Sequence, residues 1–295
     1  MRIATYRSLH RIEVGVLSQD GSGITPFDLP PARAEKGLLA LLEADQALLP
    51  LKRVDRPLRV DMVELLAPLP RPRRNVLCIG KNYHEHVHEI ARAGFDTTGG
   101  GTSPPEAPIV FSKFPECVIG PGAPILHDRR VTAQLDYEAE LAVIIGRRGR
   151  AIAPADAMDH VWGYTIVNDV TARDVQKAHK QWLLGKSQDS FCPMGPFAVT
   201  RDELDLADTP IRLWVNDELR QDGNTNMMIF SVPELIATIS AGITLYPGDI
   251  IATGTPAGVG AGFDPPKFLG AGDRVRIEIP PIGVLENPVE AWRKP

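Results

Sequence analysis

Leu135-Asp136-Tyr137-Glu138-Ala139-Glu140-Leu141-Ala142-Val143-Ile144-Ile145-Gly146 is the stretch on which the fold turns. Residues 141–145 form an unbroken apolar run closed by glycine, the pattern of a strand buried in the interior. Side chains alternate along a strand, so Glu138 and Glu140 project from the same face. Two carboxylates side by side there repel by about 4 kcal/mol at about 4 Å with an effective dielectric of about 20. A shared proton, a basic partner or a cation has to offset that repulsion. A third acid, Asp169, ends the strand-like residues 163–168. Three carboxylates converging on one point suit a hard divalent ion, with positions left for water and substrate. The residues alone leave a plainer reading open, in which the two glutamates line a solvated strand face.

Around this stretch, residues 75–80 read as a short buried strand, and further strands are expected at 108–112, 196–200, 211–216, 249–252 and 274–279. Helices are expected at 153–161, 171–183 and 232–241. Strands outnumber helices and do not alternate regularly with them, which disfavours a βαβ nucleotide-binding sheet. No phosphate-binding loop appears; Gly185-Lys186-Ser187 resembles the tail of one, but Lys180 stands where its first glycine belongs. Ahead of all this, residues 1–18 read as two short strands and 31–43 as a leucine-rich helix. The proline-rich run at 68–74 blocks regular pairing and reads as a connector. The expected division is therefore a small N-terminal α+β domain over 1–70 and a larger domain over 71–295.

A net charge of -5 and a pI near 5.8 argue against nucleic acid as a partner. No apolar run reaches the roughly 18 residues of a membrane span. The charged N-terminus lacks a signal-peptide core, and Cys78, Cys117 and Cys192 are too widely spaced for a disulfide framework or a zinc clip. A cytoplasmic location with reduced thiols is the expectation. The 26 glycines and 27 prolines are scattered between apolar runs, which means turns rather than disorder.

A second motif, Asn82-Tyr83-His84-Glu85-His86-Val87-His88-Glu89, contains a literal H-E-x-x-H. A zinc peptidase would use His84 and His88, with Glu85 as base, on a long helix with an apolar side. The segment instead follows a Gly80-Lys81-Asn82 turn and soon meets Arg92 and Gly94, so a chance match is the better account. On the same turn, His86 and Glu89 are one helical turn apart and able to hydrogen-bond. A solvated polar turn is the plainer alternative. The glycine- and proline-rich residues 94–107 that follow are long enough for a mobile cover.

From about residue 75 to 289 the chain resembles the fumarylacetoacetate hydrolase family, motif after motif. The matching stretches are CIGKNYHEHVHE (78–89), PIVFSK (108–113), LDYEAELAVIIG (135–146), GYTIVNDVTARDVQ (163–176), GKSQDSFCPMGP (185–196), WVNDELRQDGNT (214–225), PGDIIATGTPAGVG (247–260) and IGVLENPV (282–289). The resemblance implies a strand-rich α+β fold with a rolled, barrel-like β-sheet and peripheral helices, commonly in a homodimer. It implies Mg2+ or Mn2+ on Glu138, Glu140 and Asp169, a catalytic His86–Glu89 pair and an active-site Lys186. Tyr83, Arg173, Gln176 and Thr255 fall where the family contacts substrate. Some members carry a further aspartate ligand before the motif tyrosine; Lys81-Asn82 stand there instead, so a three-carboxylate site is expected.

The substrates so implied are 2-oxo acids, with cleavage or rearrangement of carbon–carbon bonds. The metal would stabilise an enolate, and Lys186 would neutralise developing charge. His86, oriented by Glu89, would activate a water to attack an acylpyruvate-like substrate. That pair inclines the reading toward hydrolysis, with decarboxylase, hydratase and isomerase chemistry as the alternatives. A non-enzymatic scaffold is the rival class, and it has no use for the acid cluster.

Overall fold

A computed structural model describes residues 1–46 and 51–294. The opening stretch forms the middle of the molecule. Strand Ala139–Ile145 is buried along its whole length, between Val161–Asn168 on one side and Ile250–Ala252 on the other. Leu141, Val143 and Ile145 face one core, and Ala142 and Ile144 face another, as period-two alternation requires of a strand covered on both sides.

The large sheet runs in the order Leu58–Arg59, Gly23–Pro26, Arg11–Leu17, Arg2–Ser8, Cys192–Thr200, Val161–Asn168, Ala139–Ile145, Ile250–Ala252, Val76–Gly80, Ile109–Lys113. Along this order the pairings are antiparallel except that of Ile250–Ala252 with Val76–Gly80, which is parallel. A five-stranded sheet, Glu218–Asn224, Pro210–Val215, Arg274–Ile279, Gly283–Ala291 and Ile125–His127, packs its Leu213, Val215 and Ile277 against the Leu141 face. The fold is strand-rich α+β, as expected. Glu218–Asn224 and Gly283–Ala291 were not anticipated as strands, because their polar residues hide the pattern.

The expected helix over 31–43 is broken into Pro31–Ala34 and Leu39–Gln46. Gly37 between them is left-handed, at φ 62°, and a side chain there would collide with the Pro68 carbonyl. The helix expected over 171–183 stops at His179, where Lys180 turns left-handed at φ 58°. Residues 154–160 form a 3-10 helix rather than an α-helix. The large sheet runs straight through the residue-70 boundary: Arg2–Ser8 pairs with Cys192–Thr200, and Ile3, Val14 and Leu38 share one core with Cys78, Ala142 and Ile250. Among the described residues, no helix is long and apolar enough to cross a membrane.

Candidate active site

Two neighbouring strand ends deliver the acids. Glu138 immediately precedes strand Ala139–Ile145, Glu140 is that strand's second residue, and Asp169 follows the neighbouring Val161–Asn168. The Asp169 amide donates to the Glu138 carbonyl at 2.9 Å, which locks the two acids together. Ligand oxygens of Glu138, Glu140 and Asp169 lie within 4.8 Å of one another, and all three residues are buried. Among the described residues this is the one group of three such side chains so placed.

Cations answer two of the three acids. Lys186 Nζ, at the end of the short helix Leu183–Lys186, donates to Glu138 Oε2 at 2.8 Å and Asp169 Oδ2 at 2.7 Å. Arg173 pairs through Nε with Asp136 at 2.8 Å and through an Nη with Glu138 at 2.7 Å. Burial pushes the Glu138 carboxyl up, but Lys186, Arg173 and His86 outweigh it and bring its pKa down to about 2. Glu140 is the reverse case. Burial, then Asp169 and Glu138, drive it well above the usual carboxylate range, against weaker help from Lys186 and the Gly254 amide. Beside it, the Tyr83 hydroxyl is buried with no hydrogen-bond partner, and burial and Glu140 push its pKa up. A buried carboxylate without its own cation, in an all-oxygen set of three, fits a hard divalent ion.

The helix His84–Arg92 settles the histidines. His86, Val87, Glu89 and Ile90 are buried, whereas His84, Glu85 and His88 are exposed, so the zinc reading of H-E-x-x-H has no converging ligands. His86 Nδ1 lies 3.1 Å from Glu89 Oε2. The other oxygen of Glu89 accepts the Gly258 amide at 2.8 Å. One cleft is lined by His86, Glu138, Arg173, Gln176, Lys186 and Thr255, with Phe95, Phe111 and Trp182 among its apolar walls. Tyr83 is not on that lining. The Thr255 hydroxyl donates to the Ala139 carbonyl at 3.0 Å and accepts from Gln221 at 2.8 Å.

Several supporting residues escaped the sequence reading. Lys113 is wholly buried behind the acids and donates to Asp169 Oδ1 at 2.6 Å, to the Val170 carbonyl at 3.1 Å and to the Lys186 carbonyl. Its signal was a lysine closing an apolar strand. Asp136 accepts from Arg173 and from the amides of Gly260, at 2.7 Å, and Ala261, at 3.0 Å. Gln221 joins the five-stranded sheet to the site through the Ala139 amide, at 2.9 Å, and Thr255. Asn82 clasps Thr253 and Phe230 rather than facing the acids.

Comparison with known proteins agrees with this architecture. The family model described as fumarylacetoacetate (FAA) hydrolase C-terminal matches residues 75–290. An oxaloacetate tautomerase of Bacillus subtilis (strain 168) is 53% identical over 228 residues, which are 77% of this chain and 73% of that protein. A solved fumarylacetoacetate hydrolase from psychrophilic Exiguobacterium antarcticum superposes with a TM-score of 0.83 at 42% identity, covering 99% of this chain and all of that one. Maleylpyruvate hydrolase from Sphingobium sp. SYK-6, solved in complex with manganese(II) and pyruvate, superposes with a TM-score of 0.74 at 30% identity, over 99% of this chain and all of that one. The chain belongs to the fumarylacetoacetate hydrolase family of enzymes.

Proposed function

We propose that the protein is a divalent-metal-dependent tautomerase of a 2-oxo dicarboxylate of the oxaloacetate class, moving a proton between the C2 oxygen of the enol and C3 of the ketone. This moves away from hydrolysis toward the isomerase alternative, because relatives at high identity are oxaloacetate tautomerases. The observation that carries the reading is an imidazole backed by a carboxylate and an ammonium shared between two acids on one cleft, with a third buried acid, Glu140, within 4.8 Å of those two.

A cation held by Glu138, Glu140 and Asp169, magnesium or manganese, would supply Lewis-acid polarisation of the 2-oxo oxygen. With His86 Nδ1 donating to Glu89, Nε2 keeps the lone pair that accepts the enol proton and returns it at C3. Lys186 holds a fixed positive charge beside the oxygen that becomes negative between those two transfers. Arg173, Gln176 and Thr255 line the same cleft and are the proposed substrate contacts. Their cost of ordering is small because all three are buried and already hydrogen-bonded.

Hydrolysis of an acylpyruvate is the second reading, favoured by the same His86–Glu89 hydrogen bond, which would equally orient a base for water. One assay separates them: decay of oxaloacetate enol absorbance with magnesium or manganese, followed by product identification, with an acylpyruvate run in parallel. Faster decay with oxaloacetate recovered intact is expected. Pyruvate and carbon dioxide would instead mean a decarboxylase, and pyruvate plus a carboxylic acid from the acylpyruvate would mean the hydrolase. A homodimer is proposed on the family resemblance alone; light scattering at the mass of one chain would overturn it.

A further inference from the structure

Three cations line the cleft: Lys81, Arg173 and Lys186. Arg173 and Lys186 are committed to Asp136, Glu138 and Asp169. Lys81 is not. Its side chain is 5% exposed, and its Nζ contacts Asp96 Oδ1 at 2.6 Å and Thr98 Oγ1 at 2.7 Å, both on the loop beyond the histidine helix. An ammonium has three donors, so these two contacts leave one for a ligand.

Asp96, moreover, has other donors besides Lys81. It also accepts the Thr98 amide at 2.8 Å, the Thr98 hydroxyl at 2.7 Å and the Gly101 amide at 2.7 Å. An anion entering the cleft can therefore share the Lys81 ammonium without leaving a carboxylate stranded. The backbone supports a dedicated role as well. Lys81 sits at φ 55°, a left-handed conformation that residues other than glycine seldom hold and that concentrates at functional positions.

We propose that Lys81 is the subsite for the second carboxylate of a dicarboxylic 2-oxo acid whose first carboxylate and 2-oxo group lie at the acid centre. The assignment rests on the dicarboxylate reading above and adds the residue that would select for it. Such a cation rejects substrates lacking the second charge because its desolvated ammonium would then have no added partner.

The test measures binding separately from turnover. Tryptophan fluorescence of the manganese-loaded protein, with Trp182 on the cleft wall, gives dissociation constants for malate, an unreactive 2-hydroxy diacid, and for its 4-methyl ester. Wild type is expected to prefer malate at least tenfold. Lys81→Met should abolish that preference by weakening malate while leaving the ester within twofold, and Lys81→Arg should restore most of it. Asp96→Asn, which keeps the ammonium, should bind malate as tightly as wild type or more so. Equal binding of both ligands by wild type would overturn the subsite. So would equal weakening of both by Lys81→Met, which would make Lys81 a pin for the loop, or loss of malate binding in Asp96→Asn. A Lys81-dependent preference in a protein that does not tautomerise oxaloacetate would overturn the reaction and leave the subsite standing.

Discussion

Glu89 is held at both oxygens, one on His86 and one on the Gly258 amide, so the imidazole it orients has little freedom to turn. Replacing His86 with alanine is expected to lower kcat by about 10²–10⁴-fold, the usual contribution of a positioned acid–base group. An undiminished rate of enol decay would remove His86 from the reaction. Glu140 tests the metal instead. A ligand at 100 times its Kd raises unfolding free energy by about 2.7 kcal/mol. Manganese should therefore raise the melting temperature of wild type and leave that of Glu140→Gln where it was; an equal rise in both would mean that Glu140 is no ligand. Lys113→Met removes one member of a fully buried ion pair and is expected to cost about 3–5 kcal/mol in urea unfolding. The acids were legible in sequence because alternation along one strand brings two of them together. Lys113, Asp136 and Gln221 were not, since their partners lie 56, 37 and 82 residues away along the chain.

At the scale of elements, the glycine-rich turn 258–262 governs the site without touching the cleft's acids. Its amides receive two carboxylates of the protein itself: Glu89 at Gly258, and Asp136 at Gly260 and Ala261. One turn thus fixes the orienter of His86 and the partner of Arg173. A side chain at Gly262 would collide with the Glu89 carboxylate, and one at Gly260 would approach Asp136 Oδ1 to 2.6 Å. Gly262→Ala is expected to lower kcat nearly as far as His86→Ala with little change in KM and in manganese affinity. A rise in KM with kcat unchanged would show that the turn serves binding and not orientation. The sequence does not disclose what this turn receives, because nothing local says which carboxylates a backbone amide will accept. It likewise marked the helix breaks poorly: leucine spacing at 38–42 favours one long helix, and the left-handed Gly37 that prevents it is dictated by distant Pro68.

Across the whole molecule, the two sheets and the parallel pair Val76–Gly80 with Ile250–Ala252 bring Lys81 and Thr255 to one side of the acids. The leading segment shares that frame. Removing residues 1–70 would turn Cys192–Thr200 into an edge and uncover the apolar faces of Ala142, Ile144 and Ile250. The fragment 71–295 is accordingly expected to aggregate or to melt well below the full chain, as followed by light scattering during heating; a soluble fragment of unchanged stability would establish a separate domain. The central strand was readable from its apolar run, while the union of the first residues with the two-hundredth was not, since sheet neighbours far apart in sequence leave no local pattern. That union also sets an order of assembly during synthesis. The hairpin Arg2–Ser8 with Arg11–Leu17 can form as soon as it leaves the ribosome, yet its outer partner emerges nearly two hundred residues later. Glu138, Glu140 and Asp169 emerge before residues 254–262 exist to receive Glu140, Glu89 and Asp136. A nascent chain therefore carries all three acids before it has the backbone amides that fix Glu140, Glu89 and Asp136.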